Sequence, residues 1–260
     1  MTDGLDVLLT NDDGIDAPGI RVVADHLRDA GGVASVTLAA PAENQSGTGQ
    51  TRTHGAVSYE TRDDGYAVAG TPADCVALGV AALDCDPDVV VSGCNDGPNL
   101  GAHILGRSGT VGAAMEAGFL ELPAVALSMY DWEFSYDGHY DPGPEKFTLA
   151  ADVAADLVPR FARGDVLPTA DYLSVNAPAD DIADDPVYRV TRPSEEYELE
   201  ATVTESGVNV EARFWQEFVE RRIPDPEGTD RRACVDEEVS VTPLTAPHGI
   251  APDVTAGGLL

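Results

Sequence analysis

Leu5-Asp6-Val7-Leu8-Leu9-Thr10-Asn11-Asp12-Asp13-Gly14, followed by Ile15-Asp16-Ala17-Pro18-Gly19-Ile20, reads as a strand, a turn and the start of a helix. Leu5 to Thr10 is a short apolar run of the kind found in strands buried on both faces. The polar, glycine-bearing turn Asn11-Asp12-Asp13-Gly14 ends it. Pro18 falls where the first turn of a helix tolerates proline. Ile20, Val23, Ala24 and Leu27 then share one helical face, until Gly31-Gly32 stops the helix.

The same grammar continues downstream. Ala34 to Ala40 is a second strand ending at Pro41, and Val57 to Ala69 is a hairpin joined at Asp63-Asp64-Gly65. Thr71-Pro72-Ala73-Asp74 opens a helix to about Leu83, with Thr71 as cap and Asp74 at the positive end. Asp88 to Ser92 is an apolar strand, Ser108 to Leu120 a helix and Ala124 to Ser128 a strand. A helix from Glu145 to Phe161 and the strand Tyr172 to Val175 complete the series. Strands alternating with helices predict an α/β fold: a Rossmann-like, doubly wound, mostly parallel sheet built from right-handed crossovers. After Pro178 the period changes to two: Tyr197, Leu199, Ala201 and Val203 alternate, Ser206-Gly207 turns, and Val208, Val210, Ala212 and Phe214 alternate again. Within a single domain of 1–260, this predicts an α/β core over 1–180 and a β-rich extension over 181–245, with a C-terminal β-hairpin. The extension is expected to lack a complete core of its own and to pack on a partner subunit. Residues 246–260 read as a frayed tail.

Composition narrows the function classes. The 260 residues carry 46 acidic and 15 basic side chains, a net charge of −31, and Lys146 is the only lysine. No basic run offsets that charge, so stable nucleic-acid binding is excluded as the main role. No run approaches the roughly 18 apolar residues of a membrane span. An acidic surface spread along the chain fits adaptation to high salt, which screens the self-repulsion. Cys75, Cys85, Cys94 and Cys234 form no CxxC pair. With no basic region in Met1-Thr2-Asp3-Gly4, a cytoplasmic chain with reduced thiols is expected. His26, His54, His103, His139 and His248 lack zinc-ligand spacing.

In a parallel α/β sheet, ligands collect at the carboxyl ends of the strands. Three loops should converge there: Asn11 to Gly14, Asn44-Gln45-Ser46-Gly47, and Ser92 to Gly101. Gly106-Arg107-Ser108-Gly109-Thr110 leads into a helix beside them. Adjacent carboxylates at an apolar strand end repel unless a cation or protons compensate. Oxygen-only ligands suit Mg²⁺ or Mn²⁺. The same dipeptide also fits a plain turn, with Asp12 capping the next segment and Asp13 facing water. Ser108 and Thr110 fit a phosphate held at a helix N-terminus, and equally a plain cap. No Walker A loop, no Gly-x-Gly-x-x-Gly after the first strand and no Gly-x-Ser-x-Gly elbow occurs. Together the features point to metal-assisted attack on a phosphate ester.

In these segments the chain closely resembles the SurE family of 5′/3′-nucleotidases. The resemblance is carried by Leu8 to Gly14 with Ala17-Pro18-Gly19-Ile20, by Pro41 with Asn44 to Gly47, and by Gly70 to Val76. Pro87 to Gly101, Ser108 to Val111 and Ala113-Ala114-Met115-Glu116 continue it, and Val239 to Leu244 resembles the family's C-terminal segment. Residues 130–235 match only loosely. Taken position by position, the resemblance implies that Asp12, Asp13, Ser46 and Asn95 hold the metal, with Asp12 and Asp13 catalytic. Asn11, Gly14, Asn99, Ser108, Gly109 and Thr110 would surround the phosphate. It also implies one Mg²⁺ or Mn²⁺ per subunit, nucleoside monophosphate substrates, and a homodimer or homotetramer assembled partly through the extension.

Two departures stand out. Arg107 occupies a position where the family often has tyrosine; it fits a bidentate phosphate contact or a surface residue. Tyr130 to Pro144, with Trp132, Phe134, Tyr136 and Tyr140, is unusually long and aromatic and fits a lid or base-stacking wall, or a packed loop or subunit contact. The expected function is hydrolysis of nucleoside 5′- and 3′-monophosphates to nucleoside and phosphate through a metal-activated water. The competing readings are a broad-specificity phosphatase or polyphosphatase, and a nucleotide-binding module without turnover.

Overall fold

The computed structural model describes residues 4–83, 85–133, 140–183, 186–197, 199–204 and 207–246. Its first strand, β1 (Leu5–Thr10), is followed by α1 (Pro18–Asp29) and β2 (Val33–Pro41). Then come β3 (Tyr59–Arg62), β4 (Gly65–Val68), α2 (Pro72–Ala81) and β5 (Val89–Asp96). A short α3 (Ala102–Leu105) precedes α4 (Gly109–Phe119), β6 (Ala124–Tyr130), a 3₁₀ turn (Pro144–Phe147), α5 (Thr148–Ala162) and β7 (Tyr172–Pro178). The chain ends with β8 (Tyr188–Val190), β9 (Leu199–Thr204), β10 (Gly207–Ala212), α6 (Phe214–Val219), α7 (Asp230–Val235) and β11 (Val239–Leu244).

Nine strands form one sheet in the order β3-β4-β2-β1-β5-β6-β7-β11-β8. From β4 through β7 every neighbouring pair is parallel, as the alternating strand and helix pattern predicts. β1 shows why its sequence is apolar at successive positions. Val7 and Leu9 face α1 and α5, with Ile20, Val23, Leu27 and Val153 in the same cluster. Leu8 faces the other way, into a cluster with Val76 of α2 and Val111 and Ala114 of α4. A strand covered by helices on both faces has no solvent side to leave polar. Each fully buried Leu or Val contributes roughly 1.5–3 kcal/mol of transfer free energy.

Local chemistry starts and stops the elements as expected. Thr71 and Asp74 form a reciprocal capping box at α2, with Pro72 in its first turn. The helix expected from Glu145 instead begins as the 3₁₀ turn, and α5 starts at Thr148. The residue 180/181 boundary does not divide the sheet. β11 pairs antiparallel with β7, burying Val239 and Val241 in the same cluster as Leu173 and Val175, and β8 pairs with β11. Among the described residues, only β9 and β10 stand apart, as a two-stranded ribbon. α6 and the segment after it also have a core, shared with the main body: Phe214, Phe218, Ile223 and Cys234 pack with Leu100 and Tyr130. The turn at Ser206, the aromatic positions Phe134 and Tyr136, and the tail from 247 onward lie outside the described residues.

The strand order reverses at β1, whose two neighbours are β2 and β5. The carboxyl ends of β1 and β5 are therefore the topological switch point, where a doubly wound sheet opens a crevice. α1 presses its first turn against β5 there: a Cβ on Gly19 would stand 2.2 Å from the Cys94 carbonyl oxygen. Ordinarily a helical Gly→Ala change stabilises by about 1 kcal/mol. Gly19→Ala should instead destabilise, by about 2 kcal/mol or more, because the obstruction is backbone. Denaturant unfolding in high KCl measures the sign, and a stabilised variant would refute this close packing.

Candidate active site

The loop after β1 is built by its own side chains. Asn11 Nδ2 donates to the Gly14 carbonyl at 2.8 Å, and the Gly14 N–H donates to Asn11 Oδ1 at 3.2 Å. Gly14 sits at φ +109°, a conformation that glycine adopts without steric cost. Asn11 and Gly14 thus shape the turn that presents Asp12 and Asp13. The Gln45 N–H donates to the Asp12 carbonyl at 2.6 Å, which ties the second loop, with Ser46, to the first. On the other side, β5 loses its regular register with β6 between Ser92 and Asn95, and this irregularity ends in Asn95 and Asp96. The Asp96 N–H donates to Asp13 Oδ2 at 3.1 Å.

Asp12 is almost fully buried, and its Oδ1 accepts the Thr110 hydroxyl at 2.6 Å. Gly109 leaves the space: a Cβ there would lie 2.8 Å from the Asp12 Cβ. Backbone N–H groups of Thr110 and Gly109 also favour the charged carboxylate. The positive N-terminus of α4, read from sequence as a phosphate seat, therefore already faces the Asp12 carboxylate. Thr110 and Gly109 position Asp12. Ser108 caps α4 by accepting the Val111 N–H at 3.1 Å.

A cleft of about 880 Å³ opens at this point, with Asp12, Ser46, Asn95, Asp96, Asn99 and Ser108 in its lining. Asn11, Gly14, Gly109 and Thr110 do not line it. Asp13 does not line it either, but accepts the N–H of Asp96, which does. Asn99 is fixed from behind: its Nδ2 donates to Ser128 Oγ at 2.9 Å and its N–H to Asn176 Oδ1 at 2.8 Å. Arg107 also lines the cleft, donating from its guanidinium to the Tyr197 hydroxyl at 3.2 Å.

Sequence reasoning missed the opposite wall. Glu200, Ala212, Arg213, Trp215, Gln216 and Val219, from β9, β10 and α6, face the same cleft. The period-two pattern of that stretch points to a hairpin but carries no sign of what the hairpin faces. Trp132, one of the aromatic residues considered for a base wall, instead packs with Tyr130 and Phe218, and Arg221 stacks over its ring at 4.3 Å.

Among the described residues the carboxylates lack a paired cation, although Arg107 and Arg213 line the same cleft. Burial raises the Asp12 carboxyl above its ordinary range despite the Thr110 hydrogen bond. Burial and then the neighbouring Asp12 push Asp13 up to about 7. Burial, then Asp141 and Asp131, push Asp96 up to about 6. Among the described residues no Lys, Arg or His forms an ion pair with any of the three. Asp96 Oδ1 is buried without a hydrogen-bond partner. No group of three His, Cys, Asp or Glu is arranged for a metal among the described residues, so a cation here would rely on two carboxylates plus neutral oxygens. That donor set is present. Asn95 donates its Nδ2 to the Gly97 carbonyl at 2.5 Å, which leaves its Oδ1 as the acceptor, and Ser46 is exposed. Hard oxygen donors around uncompensated carboxylates fit Mg²⁺ or Mn²⁺ and do not suit a soft metal.

Fold and site together define a doubly wound α/β protein with an anionic, oxygen-lined crevice at its switch point. The family described as survival protein SurE matches residues 7–200. The chain belongs to the SurE family. It is 47% identical over 246 residues to the 5′-nucleotidase SurE of Natronomonas pharaonis, covering 94% of each chain. It is 49% identical over 244 residues to that of Halobacterium salinarum, covering 94% of this chain and 92% of the relative. Among solved structures, the SurE protein from Aquifex aeolicus superposes with a TM-score of 0.73 at 32% identity, over 98% of this chain and 96% of that one.

The raised Asp13 carboxyl has a definite sign. A carboxyl that holds its proton more tightly folded than unfolded adds stability at low pH, and that stability is lost as pH rises through about 7. In EDTA, the stability of Asp13→Asn relative to the parent chain should therefore rise by about 2–3 kcal/mol between pH 5 and pH 8, because the parent loses stability from about pH 4, where the unfolded carboxyl ionises, up to about pH 7. Thermal unfolding in high KCl at the two pH values tests this. A relative stability unchanged between the two pH values would refute the charge strain.

Proposed function

We propose that this chain is a divalent-cation-dependent phosphomonoesterase that hydrolyses nucleoside 5′- and 3′-monophosphates to nucleoside and phosphate. The observation that carries the reading is the Asp12/Asp13 pair, Asp12 buried and Asp13 half-buried at the switch point beside Ser46 and Asn95, with no ion-pairing cation among the described residues. The names of the relatives, 5′-nucleotidase SurE, support the 5′-activity. Asp12, Asp13, Ser46 and Asn95 would hold one Mg²⁺ or Mn²⁺ per subunit. When bound, such an ion neutralises phosphoryl oxygens and makes water a better nucleophile.

The chain's own residues divide the remaining work. Thr110, by hydrogen bonding to Asp12 Oδ1, fixes which carboxylate oxygen stays available. Asn99 and Ser108, rigid and on the cleft wall, are placed to receive phosphate oxygens. Arg107, also on that wall, adds a positive charge beside Ser108. Fixed donors of this kind lower the barrier because they need no reorganisation as charge develops. Cys75, Cys94 and Cys234 are buried free thiols, which supports a reducing, cytoplasmic setting.

Phosphate release from 5′-AMP and 3′-AMP in high KCl, with Mn²⁺ or EDTA, tests the activity. Release should require the cation and fall at least about a hundredfold in Asp12→Asn, a loss comparable to removing one key electrostatic group. Nucleotide binding without release, from folded protein, would favour the binding-module reading. Release from polyphosphate or simple esters at equal efficiency would favour the broad phosphatase.

The β9–β10 ribbon supports a homodimer or homotetramer. Its register sets Val203 opposite Val208 and Ala201 opposite Val210, so its apolar side chains share one face. Val203 is 81% exposed, Val208 60% and Val210 56%. A contiguous apolar face on an edge ribbon marks an interaction surface. Val203→Glu with Val208→Glu should lower the molar mass measured by light scattering, and an unchanged mass would remove the ribbon from the interface.

A further inference from the structure

The cleft lining combines two chemistries. Asp12, Asn95 and Ser46 supply polar groups, whereas Trp215, Val219 and Ile104 supply apolar surface. A phosphate is held by hydrogen-bond donors and cations, and the face of an indole offers it neither. α6 shows how this surface is built. Phe214 and Phe218, four residues apart, face the body of the protein, where they are buried with Leu100 and Tyr130. Trp215 and Val219, also four apart, face the cleft. The Phe214 ring meets the Trp215 ring nearly edge-on, with centroids 4.7 Å apart, and Arg231 covers Phe214 at 4.1 Å. The indole is thus backed by packed aromatic structure. At about 880 Å³ the cleft falls within the range of small-molecule sites, roughly 300–1,000 Å³.

We propose that Trp215 is the stacking platform for the nucleobase of the substrate, with Ile104 and Val219 completing an apolar seat. The proposal rests on the nucleotidase reading and adds the residue that recognises the nucleoside. Recognition acts through the face of the base. Because every base has such a face, the seat accepts purines and pyrimidines, with purines held more firmly through their larger ring. Trp215 is a specificity residue and takes no part in cleaving the phosphate ester.

The test compares a substrate that has a base with one that has none. The ratio of kcat/KM for 5′-AMP to that for ribose 5-phosphate should fall about tenfold in Trp215→Ala, carried by KM, in line with losing one stacked base. Trp215→Phe should restore most of the ratio, which a merely structural role would not predict. An unchanged ratio in Trp215→Ala, or a Phe variant as poor as Ala, would overturn the proposal. Should the parent chain cleave neither ester, the nucleotidase reading fails and a binding measurement decides the seat. In a Trp132→Phe background, which removes an indole N–H that lacks a partner, Trp215 is the remaining tryptophan. Saturable quenching of its fluorescence by adenosine in EDTA would then sustain a nucleoside site, and no quenching would refute it.

Discussion

Two carboxylates at the end of a strand buried on both faces set the terms for everything around them. Asp12 is almost fully buried, so most of its charge has to be met by protein or by a cation. The N-terminus of α4 meets part of it, through the Thr110 hydroxyl and the backbone of Gly109 and Thr110. This ties α4 to β1 at one spacing, and Gly109 is the residue that permits the approach. Asp13 lacks such help beyond the Asp96 N–H and an amide contact from Asn44 at 3.4 Å, and burial beside Asp12 pushes it up to about 7. Unequal environments for adjacent carboxylates are a common means of assigning them different work.

Much of this was legible in the sequence, for reasons tied to particular residues. The apolar run Val7-Leu8-Leu9 of β1, the proline after its turn and the Thr71/Asp74 box each encode local structure, and each lies where it was expected. The four segments carrying oxygen donors converge because a parallel sheet places its loops on one edge. The roles of Asn11 and Thr110 were not legible. Spacing alone cannot say whether a polar side chain faces a ligand or braces its neighbour, and both of these brace. The places of β8 and β11 were hidden for a different reason. Partners in a sheet are set by long-range pairing, and a strand of three residues such as β8 leaves almost no periodic trace. The cleft-facing role of α6 is a tertiary fact as well, since the same helix shows one face to the core and another to the substrate side.

The charge pattern belongs to a different level of organisation from the chemistry. Most acidic side chains lie on the exterior, and the single lysine is used structurally: Lys146 bridges Asp131 at 2.9 Å and Asp181 at 2.8 Å. That ion pair anchors the segment following β6, whose Asp131 also accepts the Tyr140 hydroxyl at 2.6 Å. A net charge of −31 agrees with the relatives from Natronomonas and Halobacterium. Screening by salt relieves repulsion on the surface but reaches the buried pair weakly. The crevice therefore keeps its own electrostatics whatever the medium.

The insertion of β11 between β7 and β8 also governs how the chain is made. On a ribosome, β7 is complete roughly sixty residues before β11 begins. At typical elongation rates its outer edge stays open for about 3 to 12 seconds. During that interval the nascent sheet offers unpaired backbone groups to any passing strand, including those of sister chains on the same message. The early parallel core can close first, but the last quarter of the protein must emerge before the sheet is sealed. Translation speed over residues 179–238 thus sets how long that edge waits for its partner.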